Sequence, residues 1–333
     1  MGHFLRRISE VAGWTFASRI LGLLRDILLF ASLGTGALNS AFILAFTLPN
    51  LFRRLLGEGA LTSSAIPVLS DVLEREGRPA AYSLFDAILT RLGAGLLLIQ
   101  IVFLPLFLAV QWIPGLAERW YAGAQLSQML FPYMWFICLG ALVCGMLNVL
   151  GRFGIAALNQ VWLNVTMIAA MGLGLWGFPE NGWARVVLLC AGVLAGGALQ
   201  LLVPALGLRR QDWAPRLRLG DHPELRKVLR LFLPGLLGAA IFQINILVSR
   251  FLAFSLDDTA TGLLYLSSRL VELPLGVFAI AITTVVFPEL SRLSAKGSAE
   301  GFARIFTQGL SLIFMITLPA MLGLIILAEP ILG

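Results

Sequence analysis

The sequence predicts an all-α fold: a polytopic membrane helical bundle of about nine transmembrane helices. Three observations carry that reading. Hydrophobic residues make up 59% of the chain and charged residues 13%, against roughly a quarter charged in an ordinary soluble domain. Mean hydropathy is +0.89, so too few polar side chains remain to cover a soluble core. The apolar residues fall in runs of membrane-crossing length, about 20 residues for a helix. No segment alternates with the period of two that a membrane barrel strand needs.

Cutting the chain at its charged, Gly and Pro clusters gives spans at 10–33, 38–57, 83–111, 125–150, 154–178, 183–208, 228–254, 259–287 and 302–328. The first carries Arg19, Arg25 and Asp26 inside "SRILGLLRD". At a helix centre each such charge costs about 2.5–3.5 kcal/mol, while each Leu or Ile returns about 0.3–0.6 kcal/mol. This helix therefore inserts poorly alone and needs partners or water beside it. Thr15, Ser18, Arg19, Gly22, Arg25 and Asp26 share one arc at 100° per residue, and Phe16, Ile20, Leu23, Leu24 and Ile27 lie outside it. The polar stripe is expected to face something other than lipid.

The second span repeats the pattern, with Ser40, Thr47, Asn50, Arg54 and Glu58 on one face, Arg53 alongside, and Pro49 expected to kink the helix. Residues 59–78 mix apolar and charged types and are read as lying along the cytoplasmic interface. Arg91 of the third span sits near its cytoplasmic end and is read as snorkeling to water. Spans four to six hold Cys138, Cys144 and Cys190, read as small core residues without disulfide or metal-ligand spacing. Gly192, Gly196 and Gly197 form a small-residue face suited to close packing within the chain. The basic loop from Arg209 to Arg230 suits an interfacial position. Arg250 lies in the seventh span, and Tyr265, Arg269 and Glu272 share a face of the eighth just before Pro274.

Orientation follows from the loops. With a cytoplasmic N-terminus, fifteen Lys and Arg collect on the cytoplasmic side and only Arg119 and Arg185 on the other. The net charge of +6 thus reflects topology, and no nucleic-acid partner is expected. The charged helices also come in matching pairs: Arg25 precedes Pro49, and Arg250 precedes Pro274, by 24 residues each. "PVLS" (Pro67–Ser70) answers "PELS" (Pro288–Ser291), and Leu104-Pro105 answers Leu318-Pro319. This order suggests a two-lobe fold of six-helix parallel repeats. Residues 1–220 form the N-terminal lobe with its basic linker, and 221–333 the first half of a C-terminal lobe. The chain is read as an N-terminal fragment of a longer protein.

"SRILGLLRD", "FTLPNLFRRLLGEGAL", "FPYMWFICLGALVCGMLN" with "GRF", and "SSRLVELPLGVFAIAITTVVFPELSR" resemble the MurJ/MviN lipid II flippases of the multidrug and oligosaccharidyl-lipid exporter superfamily. The resemblance runs from the first helix to about residue 320. It implies transport of an undecaprenyl-pyrophosphate-linked muropeptide across the bacterial inner membrane by alternating access to a cationic cavity. Its functional arginines map onto Arg19, Arg25, Arg53 and Arg269, and its acidic partners onto Glu58 and Glu272. Arg54 and Asn50 join the expected substrate-binding set from the face they share in the second span. Where the family carries acids, this chain has Ser40, Ser249 and Ser268. That leaves the expected cavity more positive and removes groups through which an ion could couple.

The physical reading stands beside the resemblance. A pyrophosphate carries about two negative charges, and arginine forks match its oxygens bidentately. The expected partners are lipid II and membrane lipids, with a coupling ion unidentified, no cofactor, and no assignment of a metal. Two other classes stay open. An exporter of a different polyprenyl-pyrophosphate-linked oligosaccharide has the same charge requirement. A membrane enzyme acting on polyprenyl pyrophosphate needs paired carboxylates, a nucleophile or metal ligands. The adjacent acids Asp257 and Asp258 are read as a loop cap, so no enzyme is expected.

Overall fold

The apolar runs fold as helices, with no strand among the described residues of the computed structural model, which are 2–57, 59–220, 222–274 and 280–332. In order they are α1 (Gly2–Leu33), α2 (Ala37–Phe52) with a wide π-helical turn at Arg53–Gly57, α3 (Ala60–Glu76), α4 (Arg78–Val110), α5 (Glu118–Leu130) and α6 (Tyr133–Val149). There follow α7 (Phe153–Gly177), α8 (Gly182–Arg209), α9 (Leu225–Leu256), α10 (Ala260–Pro274), α11 (Ile280–Ala295), α12 (Ala299–Ile326) and the short α13 (Ala328–Leu332). Contacts divide the chain into two compact units, 1–261 and 262–333, so α9 packs with the first unit.

Six described stretches are long and apolar enough to cross a membrane: α4, α5 with α6, α7, α8, α9 and α12. They coincide with the spans expected from 83–111 to 228–254 and at 302–328. The other three expected spans differ for separate reasons. Span 10–33 lies in α1, a 32-residue helix that carries the three charges. Span 38–57 is shared between the 16-residue α2 and the wide turn. Span 259–287 runs from α10 into α11 across 275–279, which lie outside the described residues.

In the first unit, α8 packs closely on α7 and α6. A Cβ at Gly192 would stand 2.5 Å from the Ala170 methyl, one at Gly197 2.6 Å from the Tyr133 ring, and one at Gly140 2.6 Å from the Gln200 carbonyl oxygen. The glycine face is thus used within the chain, as expected. Gln200 is buried at the junction, where Tyr133 Oη donates to its Oε1 and its Nε2 donates to the Asn159 carbonyl, both at 3.1 Å. Cys138, Cys144 and Cys190 are buried side chains of this helix packing.

Residues 59–78 do more than follow a surface. Leu61, Ala65, Val68, Leu69 and Val72 recur every three or four residues and bury one face of α3 in a core with α4, α6 and α9. The charged face then pairs outward: Lys227 Nζ lies 3.2 Å from Asp71 Oδ2, and Arg75 2.9 Å from the same oxygen. The Lys227 bond holds the Asp71 carboxyl below its usual range.

The linker that follows α8 has no regular structure, yet it is bound along α4. Tyr82 Oη donates to the Gln211 carbonyl at 2.6 Å, and Trp213 Nε1 to Asp86 Oδ1 at 2.9 Å. The Arg218 N–H donates to Thr90 Oγ1 at 3.1 Å. Arg91, expected to snorkel to water, also finds protein partners in bonds that stay exposed: its guanidinium donates to the carbonyls of Arg218, Leu219 and Gly220 at 2.9–3.2 Å. The reason is local, since three carbonyls outside any helix lie within its reach. In the second unit α11 packs on α12, where a Cβ at Gly309 would come within 3.2 Å of Val286.

Candidate functional site

The charge cost of α1 is met by α7, the helix it packs against. Ile20 and Ile27 are 53% and 58% exposed, with Leu23 and Leu24 beside them. The opposite face turns inward. Arg25 Nε and Nη2 donate to Asp26 Oδ1 at 3.0 and 2.7 Å, and Nη1 donates to Asn164 Oδ1 of α7 at 3.0 Å. Asn164 Nδ2 in turn donates to the Ser18 carbonyl at 3.1 Å. Arg25 and Asp26 are only 12% and 13% exposed, so the pair is a largely desolvated dipole rather than a surface bridge. Arg19, one turn and a half earlier, is exposed.

On α2 a ladder of polar side chains leads to the wide turn. Thr47 Oγ1 donates to the Ile43 carbonyl at 2.6 Å, and Asn50 Nδ2 to the Phe46 carbonyl at 2.9 Å. Arg53 Nε then donates to Asn50 Oδ1 at 3.1 Å. Pro49 withdraws one backbone N–H from this stretch, and the helix loosens four residues later into the turn that carries Arg53 and Arg54. Arg54 is exposed and Arg53 half-buried. Gly59 closes the turn, because a Cβ there would strike the Arg54 carbonyl. Glu58 lies outside the described residues. From α9, Arg250 Nη1 donates to Thr47 Oγ1 at 2.6 Å, fastening that helix to α2.

In the second unit, Arg269 and Glu272 meet within α10. Arg269 Nη1 donates to Glu272 Oε2 at 2.7 Å, its Nε donates to Tyr265 Oη at 3.2 Å, and its guanidinium carbon stands 5.2 Å from the Tyr265 ring centroid. That places the cation over the face of the ring. Asp257 caps a turn by accepting from the Thr259 N–H and hydroxyl, which holds its pKa below the usual carboxylate range. Asp258 pairs with Arg119 at 2.8 Å. The loop-cap reading fits Asp257, whereas Asp258 is the partner of Arg119, and no cluster of three or more metal-binding side chains occurs among the described residues.

Sequence reasoning missed Asn164 and the place of Thr47 in the Arg250 contact. An asparagine in the apolar run "ALNQVWLNVTM" was the available signal.

These features define a class: a polytopic α-helical membrane bundle with arginine-bearing helices. The fold is shared with an inward-facing MATE family transporter of the MOP superfamily, at TM-score 0.71 and 16% identity over 93% of this chain and 70% of that one. It is shared also with a lipid II flippase MurJ structure in an inward closed conformation, at TM-score 0.75 and 26% identity over 96% of this chain and 66% of that one. The family model for lipid II flippase MurJ matches residues 30–333. Probable lipid II flippases MurJ of Bdellovibrio bacteriovorus and Vibrio cholerae are 37% and 34% identical over 96% and 97% of this chain. The chain belongs to the lipid II flippase MurJ family. It spans 62% and 63% of the length of those two relatives.

Proposed function

We propose that the whole protein moves lipid II, the undecaprenyl-pyrophosphate-linked muropeptide, from the cytoplasmic to the periplasmic leaflet of the bacterial inner membrane. The observation that carries this reading is the family match over 30–333, whose curated relatives are named as lipid II flippases. The arginine chemistry supports it. Arg25 and Arg269 each hold an acid, Asp26 and Glu272 respectively. A pyrophosphate offers the same guanidinium N–H groups more charge and more acceptor oxygens, so at the largely buried Arg25 ligand binding exchanges partners without leaving the cation bare. Arg19, Arg53 and Arg54 add cationic charge from α1 and the wide turn.

Transport by alternating access needs no bond to break in the substrate, and we assign no enzymatic step. The N-terminus is placed in the cytoplasm, and the lobes are taken to divide at residue 220 as six-helix repeats. The coupling ion stays unassigned. The experiment is genetic: the full-length gene is expressed in cells depleted of their own lipid II flippase. Restored peptidoglycan synthesis is the expected result. A protein that accumulates in the membrane yet leaves synthesis blocked refutes the reading and favours export of a different polyprenyl-pyrophosphate-linked oligosaccharide.

A further inference from the structure

The linker and α4 enclose a cleft of about 460 Å3 lined in part by Arg78, Ser83, Asp86, Trp213, Arg216 and Arg218. Its floor is built. Asp86 is buried and accepts from the Trp213 indole N–H and the Arg216 backbone N–H. Arg218 Nη1 donates to Ser83 Oγ. Arg78 stands 4.0 Å from Asp212, too far for a tight pair, and the Arg216 charge acts on the Asp86 carboxyl beside it. Cationic N–H groups therefore face the cleft with capacity to spare.

The segment "RLRL" at Arg216–Leu219 alternates charge with apolar bulk. Leu217 is 91% exposed and Leu219 76% exposed, although both belong to a segment held firmly to α4. Their depth can be read from α4 itself. The Arg218 N–H is bound at Thr90 and the carbonyls of 218–220 at Arg91. Leu97 and Leu98, the start of the helix's exposed apolar face, follow six residues later, about 9 Å along the axis. Leu217 and Leu219 thus stand at the edge of the apolar belt, and the arginines stand on its polar side. The Arg91 cap fits that depth, since irregular backbone beside hydrocarbon has no water to satisfy its carbonyls.

We propose that this cleft binds the phosphodiester headgroup of an anionic phospholipid, with the acyl chains lying beside Leu217 and Leu219. Guanidinium forks suit phosphate oxygens, and basic pockets at a helix–membrane edge attract anionic headgroups. Its lining includes none of Arg25, Arg53 and Arg269, and it does not depend on which lipid is transported.

The test uses the full-length protein in detergent, with bound lipid counted by native mass spectrometry during titration with phosphatidylglycerol or phosphatidylcholine. Phosphatidylglycerol is expected to bind in preference. Arg216→Gln, which leaves the bonds of the segment to α4 in place, weakens that preference roughly five-fold, and Arg216→Gln with Arg218→Gln about 25-fold. Leu217→Ser with Leu219→Ser weakens phosphatidylglycerol retention while inorganic phosphate alone fails to displace the lipid. Three results overturn the proposal: no preference in the unaltered protein, an unchanged preference in Arg216→Gln with an unchanged melting temperature, or displacement by phosphate at equal concentration, which marks a free-anion site.

Discussion

Replacing Asn164 with Leu, a side chain of similar length without hydrogen-bonding groups, tests whether α7 is what makes the charged first helix tolerable. The change removes the 3.0 Å bond from Arg25 and the 3.1 Å bond to the Ser18 carbonyl. A hydrogen bond to a charged group contributes about 1.5–3 kcal/mol in soluble proteins, but pairs inside membranes average about 0.6 kcal/mol and reach about 1.7. Arg25 keeps both of its bonds to Asp26, which moderates the loss. We therefore expect a coupling of about 1–1.5 kcal/mol between the two residues. The assay is a double-mutant cycle of Asn164→Leu and Arg25→Met, read from reversible unfolding in mixed micelles. The stranding of Asp26 by Arg25→Met occurs in both backgrounds and cancels. A coupling below about 0.3 kcal/mol, the range of simple additivity, would refute the claim that Asn164 carries the arginine.

Arg269→Lys is expected to reach normal membrane levels in the full-length protein yet move lipid II poorly, because the planar fork over Tyr265 is lost; a fall of about ten-fold corresponds to one charge-assisted bond. Arg269→Ala should be worse, and lipid II appearing in the outer leaflet at the unaltered rate would make the residue structural. Gly140→Ala places a methyl 2.6 Å from the Gln200 carbonyl oxygen and is expected to cost about 1–3 kcal/mol of stability, seen as a lower melting temperature with unchanged helicity. His222 has its pKa lowered from 6.5 by burial first and by Arg218 next. Its neutral form is the one the fold prefers, so its neighbourhood is most stable above pH 6.5 and loses stability as the pH falls toward the lowered value. An NMR titration of the imidazole should show a midpoint below 6.5, and a midpoint at or above it would contradict the burial.

What the sequence could show depended on whether a constraint was periodic or relational. The outward face of α1 was legible because Ile20, Leu23, Leu24 and Ile27 share an arc that the charges avoid, and insertion costs say which side meets lipid. The burial of α3 was only half legible: its apolar period is present in Leu61, Ala65, Val68, Leu69 and Val72, but five charges nearby at 71–78 masked it. Arg25, Arg53 and Arg269 could be picked out as costly charges. Their partners could not, since nothing in α7 marks Asn164 rather than Asn159 as the residue opposite Arg25. The destination of Arg91 was equally hidden, because it depends on where a linker about 127 residues later is tied down.

The Arg25–Asn164 bond also sets a schedule. The two residues are separated by 139 positions, and a chain elongating at about 5–20 residues per second takes roughly 7–28 s to make the interval. For that time a helix that inserts poorly alone exists without the asparagine that completes its polar face, while α2 to α6 are synthesised after it. The α7–α8 hairpin then arrives as a locally closed pair, and its docking ends the wait. Secretion machinery handling this chain must therefore retain its first helix through five later ones, so the order of synthesis and the order of assembly are different.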